Sequence, residues 1–244
     1  MDSPCRGVED SFNTERAFRA QKLLARLVSL ETPGREFRRI LGLDVAYHRL
    51  EGLEVGVGVG VIIDAGSLRP LECLASYRLI CVPYIPGLLA FREMAVLAPL
   101  ASRLAPRADV MLVDGHGIAH PRRLGIASHL GLAVGMPSIG VAKRKLVGEV
   151  RGDEGVEYII HEGVRVGVVL RTPSGSRLYV SPGHMISLED AARVVASTIK
   201  TGAPEPLRLA DAISKRLKRS AAVRRVRESL ANKPLLADCG ILVI

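Results

Sequence analysis

Three carboxylates stand where a carboxylate needs a reason. Asp44 interrupts the apolar run Ile40-Leu41-Gly42-Leu43-Asp44-Val45-Ala46. A charge in mid-strand is costly unless it is paired, hydrogen-bonded or bound to a metal ion; the other reading is a strand-end Asp facing water. Asp114 closes a second apolar run (DVMLVD) and is followed by Gly115-His116-Gly117. Ligands of α/β sheets sit beyond the carboxyl ends of strands, where glycines admit close approach, although Asp-Gly is also ordinary turn chemistry. Glu93 falls in the early turns of an otherwise apolar helix, where a solvated face paired with Arg92 is the competing reading. Together the three suit a hard divalent cation such as Mg²⁺, which takes a few carboxylates plus water and substrate phosphate. Two such ions roughly 3.5–4 Å apart can activate water and stabilise the leaving oxygen of a phosphodiester.

Other groups extend that chemistry. In Pro83-Tyr84-Ile85-Pro86-Gly87 the two prolines fix φ and bias Val82 and Ile85 away from helix. The product is a stiff loop presenting Tyr84, an aromatic that either inserts between bases or packs inside. Basic groups follow, His120-Pro121-Arg122-Arg123 and then Lys143-Arg144-Lys145. These can contact phosphates or serve as ordinary surface charge. The denser stretch Lys215-Arg216-Leu217-Lys218-Arg219, continuing to Arg224, Arg225 and Arg227, suits a helix lying on a phosphate backbone or a solvated face.

These residues need elements to position them. Residues 14–30 show helical apolar spacing, closed by Thr32-Pro33-Gly34. Arg39 to Tyr47, Leu53 to Ala65 and Leu71 to Val82 read as strands, joined at Glu51-Gly52 and Asp64-Ala65-Gly66 by turns short enough for an antiparallel meander. Gly56, Gly58 and Gly60 sit inside the second strand and mark a face where something packs closely, not a phosphate loop. Thereafter β and α alternate: helix Leu88 to Leu104, strand Asp109 to Asp114, helix 121–134, strand Pro137 to Ala142, a hairpin of Glu157 to Ile160 with Val164 to Arg171, a Ser187-capped helix to about Lys200, and basic helices from Leu207 to about Glu228. Val180-Ser181-Pro182-Gly183-His184 reads as a turn, and the apolar tail from Leu235 has no clear place. The sum is an α/β mixed sheet, three antiparallel strands then βα units, flanked by helices in a single domain over 1–244 with 1–10 and 235–244 as peripheral tails.

Composition excludes several classes. The 244 residues are 48% hydrophobic and 24% charged, a globular balance. The net charge of +9 favours polyanions, nucleic acid first and anionic membrane second. No apolar run reaches the roughly 18 residues of a spanning helix, and the opening MDSPCRGVEDSF resembles no secretory leader. A cytoplasmic monomer is the expectation. The four cysteines, Cys5, Cys73, Cys81 and Cys239, show no zinc spacing, so reduced thiols are expected, with Cys73 and Cys81 packed in one strand.

The segments PYIPGLLAFRE (Pro83 to Glu93) and DGHGIAHPRRLGIASHLGLAVGMPSIGVAKRKL (Asp114 to Leu146) resemble endonuclease V, the deoxyinosine-directed repair nuclease family. GLDVAY around Asp44, the Val180 to His184 segment and PLRLAD ending at Asp211 are also similar, so the likeness runs from about residue 10 to 228. It implies an RNase H-like fold and metal-binding carboxylates Asp44, Glu93 and Asp114. It implies a wedge built on Tyr84 with Pro83, Ile85 and Pro86, and a pocket for extruded hypoxanthine at Gly87, Leu89, Gly115 and Ile126. It implies that Lys143 approaches the cleaved phosphate; His120, Arg122 and Arg123, read from their charge, are the further expected phosphate contacts. Asp211 stands where bacterial members carry His; it can hold metal or orient water but cannot act as an imidazole. The implied reaction is Mg²⁺-dependent, with Mn²⁺ as a substitute, and cuts the second phosphodiester 3′ to deoxyinosine in DNA, leaving 3′-hydroxyl and 5′-phosphate ends. Inosine-containing RNA is the alternative substrate, and a non-catalytic nucleic-acid-binding module the alternative class.

Overall fold

A computed structural model describes residues 5–34, 36–50, 52–153, 155–220, 223 and 235–239. The helices are α1 (Arg6–Ser11), α2 (Thr14–Ala25), α3 (Leu89–Leu104), α4 (Ile126–Val134), α5 (Leu188–Ser197) and α6 (Glu205–Leu217). The strands are β1 (Arg39–Leu50), β2 (Leu53–Asp64), β3 (Pro70–Leu79), β4 (Val110–Asp114), β5 (Ser138–Ala142), β6 (Glu149–Asp153), β7 (Val156–His161), β8 (Val164–Arg171), β9 (Arg177–His184) and β10 (Leu235–Asp238). They form one sheet in the order β10-β3-β2-β1-β4-β5-β9-β8-β7-β6. Among the described residues only β1–β4 and β4–β5 pair in parallel, so the expected antiparallel meander feeds a parallel centre.

Period-two alternation divides the core into two layers. Leu41, Leu43, Met111 and Val113 face α3 and α4. Ile40, Val110, Leu112 and Val141 face α5 and α6. The β2 glycines seat α3: a Cβ at Gly58 would lie 2.6 Å from Val96, and one at Gly60 2.5 Å from Leu104. On the opposite face, a Cβ at Gly42 would lie 2.4 Å from the Pro206 backbone carbon, so a bare backbone there lets α6 lie directly on β1.

Several expected boundaries shift for identifiable reasons. The first long helix stops at Ala25 instead of residue 30: Leu23 and Leu27 are exposed, and the inward positions of α2 are Ala17 and Gln21. Asn13 caps α2 by accepting from the Arg16 N–H. The helix expected over 121–134 begins only at Ile126, because Arg123 takes φ +56° and Gly125 is extended. The Val180 to His184 segment lies in β9, not in a turn. Pro182 pairs with Ile139 beside a register shift, beyond the stretch paired to β8, so its missing N–H breaks no ladder bond. The unexpected β6 pairs with β7 at the sheet edge. Leu235 to Asp238, unplaced by sequence, adds β10 beside β3. Glu51, the end of the last basic helix, and Arg224, Arg225 and Arg227 lie outside the described residues.

The expectation of reduced thiols is overturned. Cys5 bonds Cys81, with Cα atoms 4.8 Å apart, and Cys73 bonds Cys239 at 5.5 Å. Cys81 lies beyond the end of β3, so it does not share that strand with Cys73. The pairing is invisible along the chain because the sheet creates it: β10 runs antiparallel to β3 with Leu74 opposite Asp238, which brings Cys73 to Cys239. Each crosslink closes a long loop, of sequence separation 76 and 166, and such crosslinks typically stabilise by about 2–4 kcal/mol. Unfolded, unreduced protein is expected to show no thiol reactivity and reduced protein four thiols, with a lower melting temperature after reduction. Four reactive thiols without reductant would contradict this covalent frame.

Candidate active site

β1 and β4 put two acids side by side. Leu43 pairs with Val113 in the parallel register, so the next step sets Asp44 beside Asp114, on neighbouring strands about 4.8 Å apart and on the face of α6. Asp44 is 7% exposed, and its Oδ2 accepts from Ser214 Oγ of α6 at 2.8 Å. Burial raises its pKa to about 6, reinforced by the negative charge of Asp114 and then of Asp211, against the Ser214 hydrogen bond and Lys143. Glu93 arrives from α3, in the other layer. It is also 7% exposed, and Tyr47 donates to its Oε1 at 2.8 Å. Burial raises the Glu93 pKa to about 8, opposed by the Tyr47 bond and assisted by Asp44 and Asp114. The three acids predicted from sequence therefore form one electrostatic unit.

Two cations border it. Lys143, just after β5, lies 3.2 Å from Asp114 Oδ2. Burial disfavours its charge, yet Asp114, Asp211 and Asp44 hold its pKa above the usual lysine value. Asp211, on α6, is paired with Lys215 at 2.7 Å. A small cavity of about 90 Å³ lies among Asp114, Lys143, Leu207, Arg208 and Asp211.

Among the described residues, no three Asp, Glu, His or Cys side chains close into a cage for an ion. Each of the three acids is turned instead toward a partner, Ser214, Tyr47 or Lys143. The donor set still fits a hard divalent cation: acids whose charges help raise the pKa values of Asp44 and Glu93, set midway along β1, at the carboxyl end of β4 and on α3, all with oxygen donors, leaving water and phosphate to complete a shell. Asp44 and Glu93 would be held ionised by such an ion.

Tyr84 is 69% exposed at the tip of its loop. Gly87 ends that loop with φ +77° and leads into α3, whose first residue is Leu89. A Cβ at Gly115 would lie 2.5 Å from Ile126 Cγ2, so these two predicted pocket residues touch. The Gly115 N–H already bonds the Val141 carbonyl at 3.1 Å. In the first turn of α3, by contrast, the Leu89 and Ala90 N–H groups have no carbonyl partner among the described residues.

The expected phosphate contacts are placed otherwise. His120 is buried, its Nε2 3.1 Å from the Gly87 carbonyl, and burial lowers its pKa to about 4, so it is neutral. Arg122 donates to Gly87 O at 2.8 Å. Arg123 donates to His161 O at 2.9 Å and reaches Glu162 on the β7–β8 turn. All three hold protein, not an open cationic edge. Sequence reasoning missed Ser214, Tyr47 and Gln21. Tyr47 lies inside the GLDVAY segment and Ser214 three residues past Asp211; Gln21 carried no signal beyond being the only glutamine in the chain.

A mixed sheet with acids side by side on its central parallel strands, between helical layers, defines a nuclease of the RNase H-like class. The Endonuclease V family profile matches residues 21–212. Endonuclease V of Aeropyrum pernix is 48% identical over 238 residues, 97% of this chain and 91% of that protein. The Bacillus subtilis endonuclease V structure superposes with a TM-score of 0.79 at 30% identity, covering 85% of this chain and 93% of that one. A Ciona intestinalis endonuclease V in complex with DNA containing an inosine followed by a ribo-adenosine gives a TM-score of 0.71 at 27% identity, covering 81% and 94%. The chain belongs to the endonuclease V family and is a nuclease.

The raised carboxyl pKa values fix a pH dependence. A carboxyl whose pKa is higher in the folded state binds its proton more tightly there, so its stabilising contribution is complete below the unfolded value near 4.5 and is lost as pH climbs through about 8. Metal-free protein is expected to lose on the order of a few kcal/mol of stability over that range. Glu93→Gln should flatten the slope, and Mg²⁺ should raise the melting temperature more at pH 8 than at pH 6. Melting temperatures of wild type and variant that share one slope would refute the assignment.

Proposed function

We propose that this protein is a repair endonuclease that recognises deoxyinosine in DNA and hydrolyses the second phosphodiester 3′ to it, leaving 3′-hydroxyl and 5′-phosphate ends. The observation that carries the reading is the juxtaposition of a buried acid cluster with a rigid, exposed aromatic loop through one helix, α3, which begins at the loop's end and bears Glu93. Family membership and the inosine-containing DNA bound by the Ciona relative support the substrate.

An inosine pair is weaker than a normal pair, which lowers the cost of extruding its base. Tyr84 fills the gap left in the stack. Hypoxanthine differs from adenine in carrying a carbonyl in place of the 6-amino group. The unpartnered Leu89 and Ala90 N–H groups can donate to that carbonyl and leave an amino group without an acceptor. Gly87, Gly115 and Ile126 line the slot. Lys143 approaches the scissile phosphate and Asp211 flanks it. Asp44, Asp114 and Glu93 would hold Mg²⁺, with Mn²⁺ as a substitute; a bound divalent ion supplies water activation and charge neutralisation at the phosphate. Tyr47 orients the Glu93 carboxylate and Ser214 that of Asp44, so each retains one free oxygen.

We propose a single catalytic domain acting as a monomer. No helix among the described residues is long and apolar enough to cross a membrane. A cytoplasmic site of action would place the protein with its DNA. A second reading, inosine-containing RNA, is favoured by one observation: the Ciona complex carries a ribonucleotide directly after the inosine.

Asp114→Ala is expected to retain binding of an inosine-bearing oligonucleotide and lose cleavage with Mg²⁺ by at least about 10³-fold; undiminished cleavage would end the metal assignment. Tyr84→Ala should weaken inosine-DNA affinity by about tenfold with little effect on undamaged DNA, as base stacking is worth about 1–3 kcal/mol. Equal losses on both would contradict the wedge. Matched inosine DNA and RNA strands, with product ends mapped, rank the two substrates.

A further inference from the structure

The two walls of the proposed base slot come from separate stretches of chain. Gly87 and Leu89 follow the proline loop, whereas Gly115 and Ile126 flank the connection into α4. His120 and Arg122 of the second stretch reach the Gly87 carbonyl of the first, and one side chain from outside both stretches grips the two together. Gln21 projects from α2 and is completely buried. Its Nε2 donates to Gly87 O at 3.0 Å and to Leu124 O at 3.3 Å, two residues before Ile126. Its Oε1 accepts from Arg122 Nε. Arg122 Nη2 reaches the same Gly87 carbonyl at 2.8 Å while its guanidinium lies 4.1 Å over the Phe18 ring, also on α2. With His120, three groups converge on one carbonyl oxygen that offers two lone pairs.

A buried amide side chain destabilises a fold unless both of its ends are answered. Gln21 is answered only by the slot's own backbone and by Arg122, which holds that backbone too. The peptide between Gly87 and Leu88 is thereby fixed from both sides: its carbonyl by this clasp, its N–H by the Ile85 carbonyl at 2.9 Å. The next N–H groups along the chain are those of Leu89 and Ala90.

We propose that Gln21 is a specificity-determining positioning residue, which holds the Gly87 and Leu124 peptides at one separation and so sets the width of the slot for the extruded base. The inference rests on the reading of these residues as a base pocket. It deepens that reading by naming the side chain, outside the pocket itself, on which selectivity depends. Discrimination by hydrogen bonding requires donors at fixed distance and angle, and a slot free to widen places the 6-carbonyl beyond reach.

The test compares Gln21→Leu, which keeps bulk and removes all three hydrogen bonds, with Gln21→Glu, which keeps an acceptor for Arg122 but sets a carboxylate against two carbonyl oxygens. The readouts are kcat/KM on an inosine-bearing strand, affinity for an undamaged strand of the same sequence, amide exchange over 87–89 and 124–126, and the melting temperature. Both variants are expected to lose about tenfold or more in kcat/KM on inosine, with affinity for the undamaged strand within about twofold and faster exchange in the two segments. A purely structural role would lower both nucleic-acid readouts together with the melting temperature. Should the Leu variant fail to fold, the Glu variant, equal in size, decides. A folded Gln21→Glu protein with wild-type preference for inosine removes the brace alone. A wild-type protein without any preference for inosine removes the pocket reading, and the brace with it.

Discussion

Two carboxylates in register on neighbouring parallel strands repel each other, and the burial of Asp44 denies the pair much of the water that would screen the repulsion. Much of the molecule answers that constraint. Ser214 donates to Asp44, Lys143 pairs with Asp114, and Tyr47 donates to Glu93. Each partner comes from a different element, so the acids are held by the sheet and by α6 at once. The pKa values of Asp44 and Glu93 nevertheless remain raised. A site of this kind is poised for positive charge, and the chain's net +9 draws the polyanion that brings the remaining ligands.

The proline loop meets a comparable demand by mechanical means. Its far end is clasped at Gly87. Its near end is held by Arg92, which donates to the Val82 carbonyl at 2.6 Å, pairs with Glu54 at the same distance and lies 5.3 Å from the Tyr47 ring centroid. Cys81, one residue earlier, is crosslinked to Cys5. On the proposed reading, an aromatic that inserts into a base stack must not fold back onto its own protein, and the Tyr84 loop has anchors on both sides and prolines between them. Arg92 and Tyr47 also link the loop's near end to the partner of Glu93.

The parts legible in sequence were those set by local pattern. Alternation along Leu53 to Ala65 identified the long β2 strand, and the acids at 44 and 114 stood out because an apolar strand has no use for a charge. The Ser187 cap was readable because it uses its own neighbour, Asp190. What stayed hidden depends on partners remote in sequence. The disulfides need the β3–β10 pairing, and β10 itself offers only four residues. Ser214 lies 170 residues from Asp44, and no periodicity reports a hydrogen bond of that span. His120 and Arg122 resembled surface charge because sequence shows the charge but not the buried carbonyl that they hold. Gln21 was read past for the same reason: a polar residue on a helix suggests water, whereas here it faces two loops.

Helix α3 carries this logic furthest. Leu89, at its first residue, and Glu93, four residues on, share one face of the helix and are separated by a rise of about 6 Å. Arg92, between them, grips the loop that carries Tyr84. A rigid turn of helix thus connects the proposed base slot to the acid cluster and cannot stretch as a loop would. On the proposed reading, the scissile phosphate must lie at a constant displacement from the extruded base, whatever the sequence around it. Cleavage at a fixed step beyond the lesion then follows from helix geometry, and needs no side chain that reads the intervening nucleotides.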